Sequence, residues 1–243
     1  MSRNLPTRSH LMIDETQILP RLGNLYHLKG PGHSGKSMRE FAEAWTTMML
    51  MKGEYVHWID GACRFNPARI IKSFPHTFPD SEKLLHGLFI GRGFTVHQFA
   101  HLIERLRSEI KITKSKLIIV DGPITMHLDP QINNYEARSL LRKSMDILVG
   151  IANECKASII VITSSKAYSQ RHSNLLTLVQ NRCQTTLLGK IRTINGSKKM
   201  WLLHSPSHCS GYRQEKRNQE TLYESTSRVI HSRLRIENSY EIE

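Results

Sequence analysis

Apolar and polar positions along the chain follow two alternating periods. Short apolar runs at Leu25-Tyr26-His27-Leu28, Tyr55–Asp60, Leu88–Gly91, Leu117–Asp121 and Ser158–Thr163 have strand length. Between them, longer segments carry apolar residues three and four apart: Met38 to Met51, Val96 to Ile110 (Phe99, Leu102, Ile103 and Leu106 on one side) and Tyr135 to Cys155. Pro67 to Phe74 reads as a short helix closed by Pro75 and Pro79, and Phe78–Leu88 contains a further helical turn. The Leu117–Val120 run has no polar alternation, which marks a parallel strand buried on both faces. Thr185–Leu188 and Met200–His204 read as a closing hairpin around Asn195-Gly196. The pattern predicts an α/β fold, a mainly parallel central sheet flanked by helices with a C-terminal antiparallel hairpin. The expected division is a polar leader over 1–22, one domain over 23–210, and a polar tail over 211–243 that is partly disordered or forms a partner-binding helix.

Glycine spacing adds the first chemistry. Residues 30–37 read Gly30-Pro31-Gly32-His33-Ser34-Gly35-Lys36-Ser37, with a strand before and a helix after. A loop between a strand and a helix N-terminus turns successive backbone N–H groups toward an anion, and its glycines let the chain wrap phosphate oxygens. The pattern predicts a nucleoside triphosphate as ligand, with Lys36 on the β- and γ-phosphates and the Ser37 hydroxyl on Mg²⁺. Asp121, at the tip of an apolar strand about 85 residues after the loop, fits the carboxylate that holds Mg²⁺ from across the sheet. Lys36 and Asp121 are accordingly the expected catalytic pair.

Charge narrows the choice of partner. The net charge is +13 over 243 residues. Residues 211–243 carry six basic and six acidic side chains, so the excess lies on residues 1–210, with 28 basic and 15 acidic. A basic globular body favours a polyanion through counterion release. Four dispersed cysteines without a Cys-x-x-Cys pair fit a reduced, cytoplasmic protein, nucleoid-associated if the source is prokaryotic. No run is apolar enough to span a bilayer.

Several further segments carry a family resemblance. They are Trp58-Ile59-Asp60 with Phe65-Asn66-Pro67-Ala68-Arg69-Ile70, Gly91 to Gln98, Tyr135-Glu136-Ala137-Arg138, Ile159 to Thr163 and His204-Ser205-Pro206. In this order, with the 30–37 loop and Leu117–Asp121, they resemble the ATPase core of the RecA/RadA recombinase superfamily, nearest to the archaeal RadA paralogues called RadC-like. The resemblance implies a RecA-like P-loop ATPase core, a role in homologous recombination and DNA repair, and a recombinase or other repair protein as partner. It also implies that Lys166-Ala167-Tyr168-Ser169-Gln170-Arg171-His172 corresponds to the DNA-binding loop, with Lys166, Tyr168 and Arg171 as the single-stranded DNA contacts. An aromatic ring among cations suits bases of any sequence.

The departures are as informative. Where the recombinases carry the water-activating glutamate after Asp60, this chain has Ala62. Where they carry a γ-phosphate-sensing glutamine, it has Ser165 after Ser164. Hydrolysis should therefore be weak or partner-dependent. Three readings compete: an ATP-binding recombinase paralogue that binds single-stranded DNA, a RecA-fold regulatory switch with no DNA role, and a phosphotransferase or NTPase acting on a small molecule, which the missing glutamate and the lack of an acceptor-binding motif disfavour. Three lesser features stay open: His97 and His101 one turn apart, His204-x-x-x-His208-Cys209 with ligand-like spacing, and Asp60 and Arg92 as either phosphate-site or structural groups.

Overall fold

The computed structural model describes residues 19–75, 81–194, 197–208 and 211–215. Six strands run parallel: β1 (Leu25–Gly30), β2 (Val56–Asp60), β3 (Leu88–Arg92), β4 (Leu117–Asp121), β5 (Ser158–Ser164) and the start of β6 (Thr185–Ile194). β7 (Ser197–Ser205) folds back antiparallel on β6, and β8 (Gly211–Glu215) pairs antiparallel with β7. The sheet order is β3-β2-β4-β5-β1-β6-β7-β8. β8 extends the sheet five residues into the segment read as a polar tail. The rest of that segment, most of the leader and the Asn195-Gly196 turn lie outside the described residues.

Both faces of the sheet are covered, which explains the unbroken apolar runs. Leu117, Ile119, Ile160 and Ile162 pack on one side against Phe41 and Trp45 of α1 (Arg39–Met51). Ile118, Val120, Ile159 and Val161 face the other side. There they meet Phe99 and Ile103 of α4 (Val96–Thr113), Leu141 and Leu148 of α5 (Asn134–Cys155), and Leu175 and Val179 of α6 (Gln170–Arg182). Two short helices, α2 (Pro67–Ile71) and α3 (Ser81–Leu84), lie between β2 and β3. α2 ends three residues before Phe74, where the sequence pattern placed its end. Side-chain oxygens of Thr95, Asn133 and Ser169 cap α4, α5 and α6. α6 had no counterpart in the sequence reading, which treated its first turn as loop.

The connections place chemistry at one edge of the sheet. In an open parallel sheet the strands' carboxyl ends form the ligand crevice where the strand order switches. β1 lies between β5 and β6, and its C-terminal Gly30 is in register with Ser164 of β5, while Asp121 of β4 is in register with Ile162.

Candidate phosphate site and the loop beside it

The 30–37 loop leaves β1 and enters α1 through a 3-10 turn over His33–Met38. Gly32, Ser34 and Gly35 all have positive φ, at 84°, 47° and 73°. Gly35 is obligatory, because a Cβ there would fall 2.3 Å from the Thr163 carbonyl oxygen of β5. Gly32 keeps a second space open: a Cβ on it would touch Lys36 Cγ at 3.1 Å and Ser37 Oγ at 3.4 Å. Lys36, Ser37 and the backbone of Gly32 thus surround a hollow that a side chain would fill. Lys36 is exposed. These residues fit a phosphate chain.

Asp121 is at the tip of β4, beside this loop as expected, but its carboxylate is already taken. Arg64 reaches across from the turn after β2. Its Nη2 donates to Asp121 Oδ1 at 2.5 Å and its Nε to Oδ2 at 3.3 Å. The same guanidinium donates to the carbonyl oxygens of His33 and Ser34 in the loop, both at 2.8 Å. Arg39 Nε lies 2.7 Å from Asp121 Oδ2, out of line for a hydrogen bond but close enough for an ion pair. Burial pushes the Asp121 carboxyl up, and the Arg64 hydrogen bond and the two guanidinium charges oppose that push. Mg²⁺ takes oxygen ligands in a tight octahedron. Both Asp121 oxygens are engaged by guanidinium nitrogens, so the Asp121 half of the expected metal site does not fit a metal ion.

The neighbouring carboxylates are also paired. Asp60 accepts from the backbone N–H groups of Arg64 and Phe65 at 3.2 and 2.8 Å, and from Arg92 Nε at 3.0 Å. Asp60 and Arg92 are therefore structural, pinning the turn that carries Arg64. Glu43 receives a two-pronged bond from Arg69 at 2.7 and 2.9 Å. Ala62 stands close to the loop: a Cβ on Gly122 would lie 2.7 Å from Ala62 Cβ and 3.4 Å from Ser34 Cβ.

The loop after β5 touches the phosphate loop directly. The Tyr168 ring, 60% exposed, stacks on His33 with centroids 6.1 Å apart and planes 12° from parallel. The Ser165 N–H donates to Gly30 O at 2.7 Å. His172, buried at the start of α6, holds the loop in shape. Its Nδ1 accepts from Tyr168 N–H at 3.2 Å, so its Nε2 carries the proton toward Ser164 Oγ at 3.2 Å, and Ser164 Oγ donates to Lys166 O at 2.9 Å. Burial first, then the nearby His33, lowers the His172 pKa, consistent with this neutral form. Lys166 is exposed beside Tyr168. Arg171 differs from both, because its guanidinium turns inward and Nη1 donates to Ile132 O at 2.8 Å.

His97 lies 3.5 Å from Glu136 and His101 3.9 Å from Glu104, and among the described residues no group of three His, Cys, Asp or Glu could hold a metal. Cys209, from the His204-x-x-x-His208-Cys209 spacing, lies outside the described residues. Arg39, Arg64, His33 and His172 are the site residues that sequence reasoning gave no role of their own. Of these, His33 and His172 lay inside quoted loop segments, and Arg39 and Arg64 lay outside every motif.

No family model matches the chain, and no curated protein matches it. Among solved structures it is similar to one described as the crystal structure of the RadB recombinase, with a TM-score of 0.63 and 20% sequence identity over 81% of this chain and 87% of that one. Among the described residues no helix is long and apolar enough to cross a membrane. The fold is that of a RecA-like core, as the resemblance predicted.

Proposed function

We propose that the chain binds ATP through residues 30–37 and uses the bound nucleotide to control a single-stranded DNA contact at Lys166 and Tyr168, as an accessory factor in recombination and repair. The observation that carries this reading is the stack of exposed Tyr168 on His33. It joins a ring suited to nucleobases to the loop suited to phosphates, so a ligand on one side moves the other. The basic excess on residues 1–210 supports a polyanionic partner.

Turnover is a minor part of this reading. Ala62 offers a methyl group beside the loop, and Asp60, Asp121 and Glu43 are each held by arginine. Losing a water-positioning group costs on the order of 10²–10⁴-fold in rate. ATP then acts chiefly as a conformational ligand.

The test is binding of a labelled single strand across a salt series, with and without ATP. Affinity should fall steeply with salt and change when ATP is added. Salt-insensitive binding, or no response to ATP, would remove DNA from the function. The inward turn of Arg171, which takes away one of three expected cationic contacts, favours the second reading of an ATP-dependent switch with no DNA role. ATP binding with no DNA binding at low salt would decide for that switch.

A further inference from the structure

We propose that Arg64 supplies the fixed positive charge of the phosphate site, in place of a divalent metal at Asp121, so that the triphosphate binds without Mg²⁺. The proposal rests on the reading of residues 30–37 as a triphosphate loop and defines the form of nucleotide that loop accepts.

Three observations lead here. The first is the donor count of Arg64. A guanidinium has five N–H donors in a planar fork. Four are engaged, by His33 O, Ser34 O and the two oxygens of Asp121. One Nη1 hydrogen is left over. With 18% of its side chain exposed, Arg64 is sheltered but reachable. Arginine forks suit phosphate oxygens, and a guanidinium parts with water more readily than an ammonium does.

The second observation is the charge balance around Asp121. One buried carboxylate faces two guanidinium groups, Arg39 and Arg64, and the nearby Asp60 and Glu43 are matched by Arg92 and Arg69, so the charge of Asp121 is already compensated. A divalent ion placed there would meet two like charges within contact range and would have to strip a carboxylate from its partners. Arg39, almost wholly buried, would then lose the oxygen nearest its charge. An anionic triphosphate has no pair to displace, and meets the charges of Arg64 and the exposed Lys36 at the loop.

The third observation is how Arg64 is held. Asp60 accepts the backbone N–H groups of Arg64 and Phe65, while Arg92 ties Asp60 to the Phe65 carbonyl. The turn after β2 is therefore fixed before any ligand arrives, and the guanidinium bridges that turn, β4 and the phosphate loop. A preorganised charge of this kind needs no ion to be recruited with the nucleotide.

The experiment is calorimetric titration of the full chain with ATP, in excess Mg²⁺ and in EDTA, for wild type, Arg64→Gln and Arg64→Lys, with a melting curve for each variant. For wild type the two Kd values should agree within about threefold. Arg64→Gln should lose about tenfold or more in EDTA and regain it in Mg²⁺, because Asp121 then has an oxygen to offer. Arg64→Lys, which keeps a charge, should fall between. Wild-type binding that requires Mg²⁺ would overturn the proposal while leaving the loop a nucleotide site. Variants as indifferent to metal as wild type would remove Arg64 from it. Absence of ATP binding in both conditions would overturn the proposal together with the nucleotide reading beneath it. If Arg64→Gln fails to fold, the wild-type pair and Arg64→Lys still decide.

Discussion

The loops that follow β1 and β5 start side by side, Gly30 against Ser164, yet they are built in opposite ways. The first turns its polar groups inward. Its glycines take left-handed angles, its carbonyls are bound by Arg64, and Gly35 presses on the Thr163 backbone. The second turns its chemistry outward, with Tyr168 and Lys166 in solvent and one histidine as its internal strut. The first arrangement suits the proposed anion cradle, which needs fixed dipoles. The second suits the proposed surface for single strands, which needs a ring and a charge that stay accessible. They are joined by the Ser165 N–H to Gly30 O bond and by the stack of His33 on Tyr168, the one through backbone and the other through side chains.

Substitutions can break this contrast in a defined order. Gly35→Ala should be the most damaging, because both its φ and the Thr163 contact exclude a methyl group. A loss of at least about 3 kcal/mol is expected, read as a lower melting midpoint. A variant as stable as wild type would mean the first loop is not locked. Lys36→Ala should leave the melt unchanged and weaken ATP binding by about 100-fold or more, measured by calorimetry. Unchanged affinity would put the nucleotide elsewhere.

The second loop should give smaller effects. Lys166→Ala with Tyr168→Ala should weaken single-strand binding by about 10–100-fold, the range of one lost stack and one lost phosphate contact, with the melting midpoint kept. Adding Arg171→Ala should lower the midpoint instead, since that guanidinium holds the Ile132 carbonyl. A DNA effect of Arg171→Ala without a stability effect would make it a surface residue after all.

The smallest effect is that of pH. The His172 pKa is lowered in the folded chain, so below the unfolded value of about 6.5 the unfolded chain binds the extra proton and stability falls. Protonation also turns the acceptor facing Tyr168 N–H into a donor. His27, buried against Thr163 Oγ1 with its pKa lowered to about 3, adds a loss of the same sign. At pH 5.5 a loss of about 1.4 kcal/mol is expected from His27 alone. The midpoint should be nearly flat from pH 8 to 7 and decline below 6.5, and His172→Gln should make the decline shallower while His27 keeps part of it. A midpoint indifferent to pH would show that these rings are not held neutral.

The readable parts of the sequence were those where local pattern decides. Leu117–Val120 and Ile159–Ile162 are buried on both faces, so their runs announced β4 and β5, and the stripe of Phe99, Ile103 and Leu106 announced α4. α6 stayed hidden because its mostly polar sequence buries few apolar side chains, among them Leu175, Leu176 and Val179. β8 pairs through backbone that its polar letters do not advertise. At the site, glycine spacing disclosed the loop, and an acid after an apolar run disclosed Asp121. The partners of Asp121 were out of reach. Arg64 is 57 residues away, and a long side chain that crosses a cleft leaves no periodic mark in the chain.

Arg39 has one more neighbour. Its guanidinium lies 5.8 Å from the centre of the ring of Trp58, a fully buried residue of β2. A cation held over an indole by an adjacent carboxylate changes that ring's excited state whenever the carboxylate changes partners. In a chain whose other two tryptophans, Trp45 and Trp201, are replaced by phenylalanine, the emission of Trp58 should therefore report the partners of Asp121 without a label.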